Sequence, residues 1–275
     1  MRIDAHQHFW SLDKFTYSWM PEGESRLKRN FLPEDLAPIL ESARMDGTVL
    51  VQATTDIAET RWLLELAEEH PFIKGVVGWV DLTDPELGRT LDQFQRNRHF
   101  KGVRHPVHDE EDMRWILRDD VVSGLGELAR RNIPYDLLLR PLHLPLIPML
   151  AERVPGLRMV IDHLAKPLVA GRQLEGWAED LAIAAQVPRM HCKLSGLVTE
   201  ADPQEWTAAD LQPYLSHALS VFGPGRCMFG SDWPVCLLAA RWKQVLAAFT
   251  QALGPLPQTV RDQLLGDTAA VFYSV

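Results

Sequence analysis

Short runs of apolar residues alternate with segments of helical periodicity along the whole chain. Eight of these runs predict strands that are buried on both faces, because apolar residues fill nearly every position instead of every second one. The predicted strands span residues 2–8, 48–53, 73–80, 100–104, 135–139, 158–163, 190–195 and 227–231.

Each predicted strand is followed by a segment with apolar residues at helical spacing, or by a loop of helical character. The predicted helices span residues 33–44, 59–69, 85–95, 121–131, 144–153, 174–185, 208–222, 239–253 and 258–265. Eight such units in 275 residues match the size of a (β/α)8 TIM barrel, an α/β fold of about 250 residues. An open, doubly wound sheet is the alternative. No linker interrupts the pattern, so we expect residues 1–275 to form a single barrel domain.

Composition narrows the choice of partner and compartment. The chain has 28 Lys plus Arg against 37 Asp plus Glu, and its net charge of −9 argues against nonspecific binding to nucleic acid or to an anionic membrane. No apolar stretch approaches the ~20 residues of a membrane helix, and MRIDAHQHFW lacks the apolar region of a signal peptide. The three cysteines lack CxxC spacing. We therefore expect a cytoplasmic protein with buried, reduced thiols.

The ends of the predicted strands carry most of the candidate chemistry, and in a barrel function lies at that end. Strand one ends with His6 and His8. Period two places both rings on one face, with Cα atoms about 6–7 Å apart, so that two imidazoles can converge on one ion. An isolated HxH pattern is weak, because a histidine is more often a hydrogen-bonded core or surface residue.

Two distant residues strengthen the histidine pair. Asp232 ends strand eight, which lies beside strand one in a closed barrel, and His163 ends strand six. Three histidines and one aspartate suit a borderline cation such as Zn²⁺ with one position open for water or substrate. The alternative is that Asp232 caps the turn SDWP and that His163 is a hydrogen-bonded residue of the rim.

Seven motifs together resemble the amidohydrolase superfamily and, within it, the branch of sugar-lactone hydrolases. They are IDAHQHFW, DGTVLVQA, GVVGWVDL, GVRHPVHDE, IDHLAKP, CKLSGLVTEAD and MFGSDWPVC. They occur in order from Ile3 to about Leu238, so the resemblance covers most of the chain. It implies a (β/α)8 barrel and an enzyme that opens an aldono-lactone of a six-carbon or deoxy sugar, such as L-fucono-1,5-lactone.

The resemblance also assigns residues. His6 and His8 match the HxH of the first strand, His163 matches the sixth-strand histidine, and Asp232 matches the eighth-strand aspartate that is the usual general base. Many members of the superfamily bind two metals through a lysine or glutamate on strand four or five. The fifth strand here, YDLLLR, has no lysine, so we expect at most one metal.

Two versions of the chemistry remain open. In one, Zn²⁺ bound by His6, His8 and Asp232 polarises the lactone carbonyl or acidifies the attacking water. In the other, His6, His8 and His163 act as hydrogen-bond donors without a metal, with at least one of them protonated. Asp232 takes the proton of the water in both.

Four further residues are candidates for binding the substrate. Arg104 and Lys193 can contact sugar hydroxyls or the nascent carboxylate, and Trp79 and Trp233 can stack against the sugar. The alternatives are ion pairs or solvated charges for the first two and core packing for the tryptophans. The rival functions are a decarboxylase of the same superfamily and a non-catalytic sugar-acid binding protein. The sequence does not predict an oligomeric state.

Overall fold

The strands form one parallel sheet of eight, in chain order, and the (β/α)8 barrel is confirmed. The computed structural model describes residues 1–275. Each strand pairs with the next from the first to the eighth. The strands are β1 (Ile3–Gln7), β2 (Gly47–Val51), β3 (Ile73–Gly78), β4 (Phe100–His105), β5 (Tyr135–Leu137), β6 (Met159–Ile161), β7 (Met190–Leu194) and β8 (Cys227–Phe229).

Helices follow the strands and cover the sheet. They are α1 (Pro33–Ala43), α2 (Ile57–Glu69), α3 (Leu87–Phe94), α4 (Asp119–Arg130), α5 (Leu146–Arg153), α6 (Trp177–Ala184), α7 (Leu197–Glu200), α8 (Ala208–Phe222), α9 (Trp242–Leu253), α10 (Gln258–Asp262) and α11 (Thr268–Tyr273). The short α7 is not predicted by the periodicity. A π-helical segment, Gln263–Asp267, joins α10 to α11, so the predicted final helix 258–265 continues further than its pattern indicates. None of the helices is both long and apolar enough to cross a bilayer.

Seven of the eight strands end one or two residues earlier than predicted, and β4 ends one residue later. β5 ends at Leu137, β6 at Ile161 and β8 at Phe229. The clearest cause lies after β6, where the four residues from His163 to Lys166 all have left-handed backbone angles, with φ between 53° and 60°. Left-handed residues cannot continue a strand. The segment after β6 therefore turns sharply and places His163 on the turn.

The barrel closes through the segment after β8 and not through a ladder between β8 and β1. The amide of Asp232 donates to the carbonyl of His6 at 2.9 Å, and the amide of His8 donates to the carbonyl of Trp233 at 2.7 Å. A Cβ on Gly230 would lie 2.7 Å from that of His6, so this approach requires glycine. The expected meeting of the two ends of the chain is confirmed.

Two apolar clusters hold the barrel together. The larger one lies among the strands and helices, and the smaller one combines side chains of β1, β2, β3, β6 and β8 with α11. Phe272 and Tyr273 of α11 are buried in the smaller cluster. The C-terminal helix is therefore part of the barrel core, although its sequence alone is too short to predict as a separate element. All three cysteines are buried and free, as expected.

Candidate active site

A cavity of about 820 Å³ lies at the carboxyl ends of the strands. Its lining is mostly polar, and His8, His163 and Asp232 reach it from β1, from the turn after β6 and from the segment after β8. His6 lies directly beneath and is fully buried. The structure therefore brings together the four residues on which the sequence argument depends.

The floor of this cavity is a compact group of two imidazoles and one carboxylate. Nε2 of His6 and Nε2 of His8 lie 3.1 Å apart. Oδ1 of Asp232 lies 3.3 Å from Nε2 of His8 and 3.8 Å from Nε2 of His6. Ligand atoms of a tetrahedral zinc ion with bonds of ~2.0–2.1 Å lie roughly 3.3–3.4 Å apart. The spacing of these three atoms therefore fits a single metal ion.

The protonation of His8 agrees with a role as a ligand. Its Nδ1 lies 2.8 Å from the carbonyl oxygen of Val51. A carbonyl only accepts, so Nδ1 carries the hydrogen and Nε2 keeps its lone pair. A ligating histidine is commonly held in this way by a backbone carbonyl. Burial lowers the pKa of His8, which keeps the ring neutral.

His163 points to the same place from the opposite side. Its Nε2 lies 3.8 Å from Oδ1 of Asp232, and its Nδ1 lies 2.8 Å from the hydroxyl of Ser195. The turn that carries His163 packs on Gly196, where an added Cβ would lie 2.6 Å from Nδ1 of His163 and where φ is +68°. Gly196 is therefore required both by its backbone conformation and by the approach of the imidazole.

Asp232 is held as a carboxylate. Burial alone would raise its pKa, but the facing His163 and His8 hold the pKa below its ordinary value. Burial also lowers the pKa of His163 well below its ordinary range. The pair is thus an ionised carboxylate beside a neutral imidazole, which suits a general base next to a hydrogen-bond donor.

A buried cluster of charges lies beneath His6. The ammonium of Lys193 lies 2.5 Å from Asp136, 3.0 Å from Asp162 and 3.1 Å from Nδ1 of His6. The ammonium donates to Asp136 and forms an ion pair with Asp162, and Nδ1 of His6 also lies 3.4 Å from Oδ1 of Asp162. The prediction that Lys193 contacts the substrate conflicts with this placement, because the side chain is fully buried and does not line the cavity.

The two acidic residues of this cluster differ in character. For Asp162, burial alone would raise the pKa, but Lys193, His6 and Arg104 hold it well below its ordinary value. Burial raises the pKa of Asp136, against the lowering effect of Lys193. Both carboxylates therefore face the cations of the cluster, and Asp136 is the one that takes up a proton more readily as the pH falls.

Arg104 lies at the junction of the cluster and the cavity. One of its terminal nitrogens lies 3.3 Å from Asp162 and 3.3 Å from Nε2 of His6. The other donates to the backbone carbonyl of Gln52. Arg104 lines the cavity, so the predicted contact with a substrate stays open for this residue.

The two candidate tryptophans have different surroundings. Trp79 lines the cavity, and its indole N–H donates to Nδ1 of His105 at 3.0 Å. Trp233 does not line the cavity, since it is 2% exposed and packs edge-on against Phe9 and Phe31. The core-packing alternative therefore describes Trp233.

The sequence argument assigns no role to three residues of the site, Asp136, Glu110 and Trp115. Asp136 is an isolated charge in β5, and such a charge signals an internal ion pair. Glu110 and Trp115 belong to the long loop after β4 and surround His105. The acidic run that contains Glu110 is typical of a solvated loop, so its sequence gives no comparable signal.

The chain matches a known protein family and is similar to proteins of known structure. A family model described as Amidohydrolase matches residues 3–275. The L-fucono-1,5-lactonases of Burkholderia multivorans and Burkholderia ambifaria are 37% and 36% identical to this chain, over all of it and 96% of their own length. The crystal structure of a Burkholderia multivorans amidohydrolase with bound Zn has a TM-score of 0.94 and 36% identity, covering 100% of this chain and 99% of that one.

Proposed function

The chain belongs to the amidohydrolase family, and from this membership we propose that it hydrolyses the ring ester of a sugar aldono-lactone, with L-fucono-1,5-lactone as the first substrate to test. Its full-length relatives carry that activity in their names. The observation that carries the proposal is the convergence of His8, His163 and Asp232 on the floor of one polar cavity.

The reaction divides between the carboxylate and the neighbouring imidazole. Asp232 accepts a proton from a water molecule while the water oxygen bonds to the lactone carbonyl carbon. The bond between that carbon and the ring oxygen then breaks, and the proton returns to the ring oxygen as it becomes a hydroxyl. A general base of this kind contributes typically 10²–10⁴-fold.

His163 and Arg104 supply hydrogen bonds to the reacting group. If Ser195 donates to Nδ1, the hydrogen of His163 resides on Nε2, which faces Asp232 and the cavity. That N–H can donate to the ring oxygen as the ring opens. Arg104, a fixed cation at the edge of the same floor, suits the product carboxylate.

We propose that His6, His8 and Asp232 hold one zinc ion. When bound, the ion supplies a Lewis acid for the carbonyl and an acidified water. The spacing of the three donor atoms supports this assignment, as does the backbone contact that fixes the tautomer of His8. We also retain the cytoplasm as the expected compartment.

The test is a pH-indicator assay on a panel of L- and D-aldonolactones, with spontaneous hydrolysis subtracted. Asp232→Asn should lower kcat by at least about 10²-fold with little change in fold. Asp92→Asn, at an exposed carboxylate on α3, is the matched control. Wild-type turnover in Asp232→Asn would show that another group is the base. Turnover that survives exhaustive chelation would reject the zinc assignment and leave the lactonase proposal in place.

The same assay separates the alternatives. A product that keeps every carbon of the substrate identifies a hydrolase, whereas loss of CO₂ identifies a decarboxylase. The names of the full-length relatives give the decarboxylase and the non-catalytic binding protein no support.

A further inference from the structure

One wall of the cavity is built around His105, which ends β4. Its Nδ1 accepts the indole N–H of Trp79 at 3.0 Å, and its Nε2 lies 2.6 Å from Oε1 of Glu110. Because the indole only donates, Nδ1 carries the lone pair and Nε2–H is the donor to Glu110. Both polar atoms of His105 are therefore used within the wall.

The ring of His105 is also fixed by stacking. It lies on the indole of Trp115, with centroids 4.0 Å apart and planes 10° from parallel. His105 has no polar atom free for a ligand and little freedom to move. His105 can therefore affect a ligand in the cavity only indirectly, by positioning Glu110.

Glu110 has one oxygen left for the cavity. Oε1 accepts from His105, Oε2 has no hydrogen bond or ion pair within the protein, and the side chain is 31% exposed at the cavity wall. A carboxylate is an acceptor only, so its natural partners are hydroxyl or amino hydrogens. Hydrogen bonds to a charged acceptor are roughly twice as strong as neutral ones.

Aromatic side chains flank this carboxylate. Trp79 and Trp115 line the same cavity, and Trp19 lines it from the loop after β1. The indole hydrogens of Trp19 and Trp79 are both used within the protein, by the carbonyl of Ala53 and by His105. These two residues therefore offer apolar faces instead of donors, as the C–H face of a sugar ring requires.

We propose that Glu110, positioned by His105, selects a polyhydroxylated lactone over a lactone without hydroxyl groups. The inference rests on the lactonase activity proposed above and deepens it by naming the residue that recognises the hydroxyls. Glu110 binds the part of the substrate that does not react, so it acts on substrate choice and not on ring opening.

The test compares two lactones in wild type and in Glu110→Gln. In the variant, His105 can still donate to the amide oxygen, which turns the amide NH₂ toward the cavity and replaces an acceptor with a donor. The loss of a hydrogen bond to a charged group corresponds to a factor of about 10–150. We expect kcat/KM for L-fucono-1,5-lactone to fall by that factor, mainly through KM, while kcat/KM for δ-valerolactone stays within about twofold.

Three controls separate recognition from a general loss of structure. Glu175→Gln, at an exposed glutamate outside the cavity lining, should behave as wild type. His105→Phe keeps a ring against Trp115 but cannot hold Glu110, so it should shift the ratio of the two lactones in the same direction. The double variant should have the same kcat/KM as Glu110→Gln alone, because both substitutions remove the same interaction with the substrate.

Calorimetry with the open-chain products, L-fuconate and 5-hydroxypentanoate, repeats the comparison without turnover. The role of Glu110 is overturned if Glu110→Gln changes kcat/KM equally for both lactones and affinity equally for both products, or changes neither. The proposed lactonase activity is unaffected by that result. Failure of the wild-type enzyme to open any lactone overturns both proposals.

Discussion

The hydroxyl of Tyr273 joins the C-terminal helix to the charged cluster beneath the active site, and its removal tests that cluster. The hydroxyl donates to Oδ2 of Asp136 at 2.8 Å, and the same oxygen lies 2.5 Å from Lys193. Tyr273 is 2% exposed. Tyr273→Phe keeps the ring in the smaller apolar cluster, so the change removes one hydrogen bond and almost no apolar contact.

The expected cost follows from the charge of the acceptor. A hydrogen bond to a charged group contributes about 1.5–3 kcal/mol. Asp136 keeps its bond to Lys193, so we expect a loss of about 2 kcal/mol in the free energy of unfolding. For a domain of this size class, this corresponds to a fall in Tm of roughly 4–8 °C. Thermal and urea unfolding followed by circular dichroism measure it.

Tyr135→Phe is the matched control, because its expected effect on stability is zero or of the opposite sign. Its hydroxyl is also buried but has no hydrogen-bond partner. A buried polar group without a partner costs about 1–3 kcal/mol, so Tyr135→Phe should leave Tm unchanged or raise it. An equal fall in Tm for both variants would refute the reasoning, because it would show that the loss of a hydroxyl matters and its partner does not. An unchanged Tm in Tyr273→Phe would refute it as well.

Three other changes probe separate parts of the barrel. Burial raises the pKa of Glu59 to about 7, so the wild-type protein loses stability as the pH rises from about 4.5 to 7. In urea titrations between pH 5 and 8, the fall in unfolding free energy should be smaller by about 2–3 kcal/mol in Glu59→Gln than in wild type. Gly230→Ala places a Cβ 2.7 Å from that of His6 and should cost about 1–3 kcal/mol in unfolding free energy. Elemental analysis of zinc-loaded protein should show about one ion per chain, falling to a small fraction in His6→Ala but not in the His70→Ala control.

The pairing of distant residues is the part of the site that the sequence predicts best. His6 and His8 share a face because side chains alternate along a strand, and Asp232 joins them because a barrel must return to its first strand. Both arguments depend on geometry that is the same in every barrel. They therefore need no knowledge of side-chain packing.

The sequence does not predict those features of the site that depend on contacts between individual side chains. Lys193 stands near the end of an apolar strand, and from the sequence its partner can be water, substrate or another residue. Its partners Asp136 and Asp162 come from β5 and from the turn after β6. Which charges meet inside a barrel depends on strand stagger, which hydropathy does not determine.

The turn after β6 shows a second limit. The left-handed residues His163 to Lys166 include no glycine or asparagine, the residue types that normally mark such a conformation. The helical and strand patterns around them are ordinary. The position of His163 in the site could be predicted from the end of a strand, but its backbone conformation could not.

The surroundings of His6 bear on the two versions of the chemistry. Lys193 lies 3.1 Å from one ring nitrogen and Arg104 lies 3.3 Å from the other. Asp162 and Asp232 also face the ring, at 3.4 Å and 3.8 Å, but burial together with Lys193 outweighs Asp162 and lowers the pKa of His6 well below the ordinary value. His6 is therefore a neutral ring that can share a lone pair but cannot supply positive charge to an oxyanion. Since the pKa values of His8 and His163 are lowered as well, the lowered values argue against the version with a protonated histidine and favour the version in which a bound cation stabilises the opening lactone.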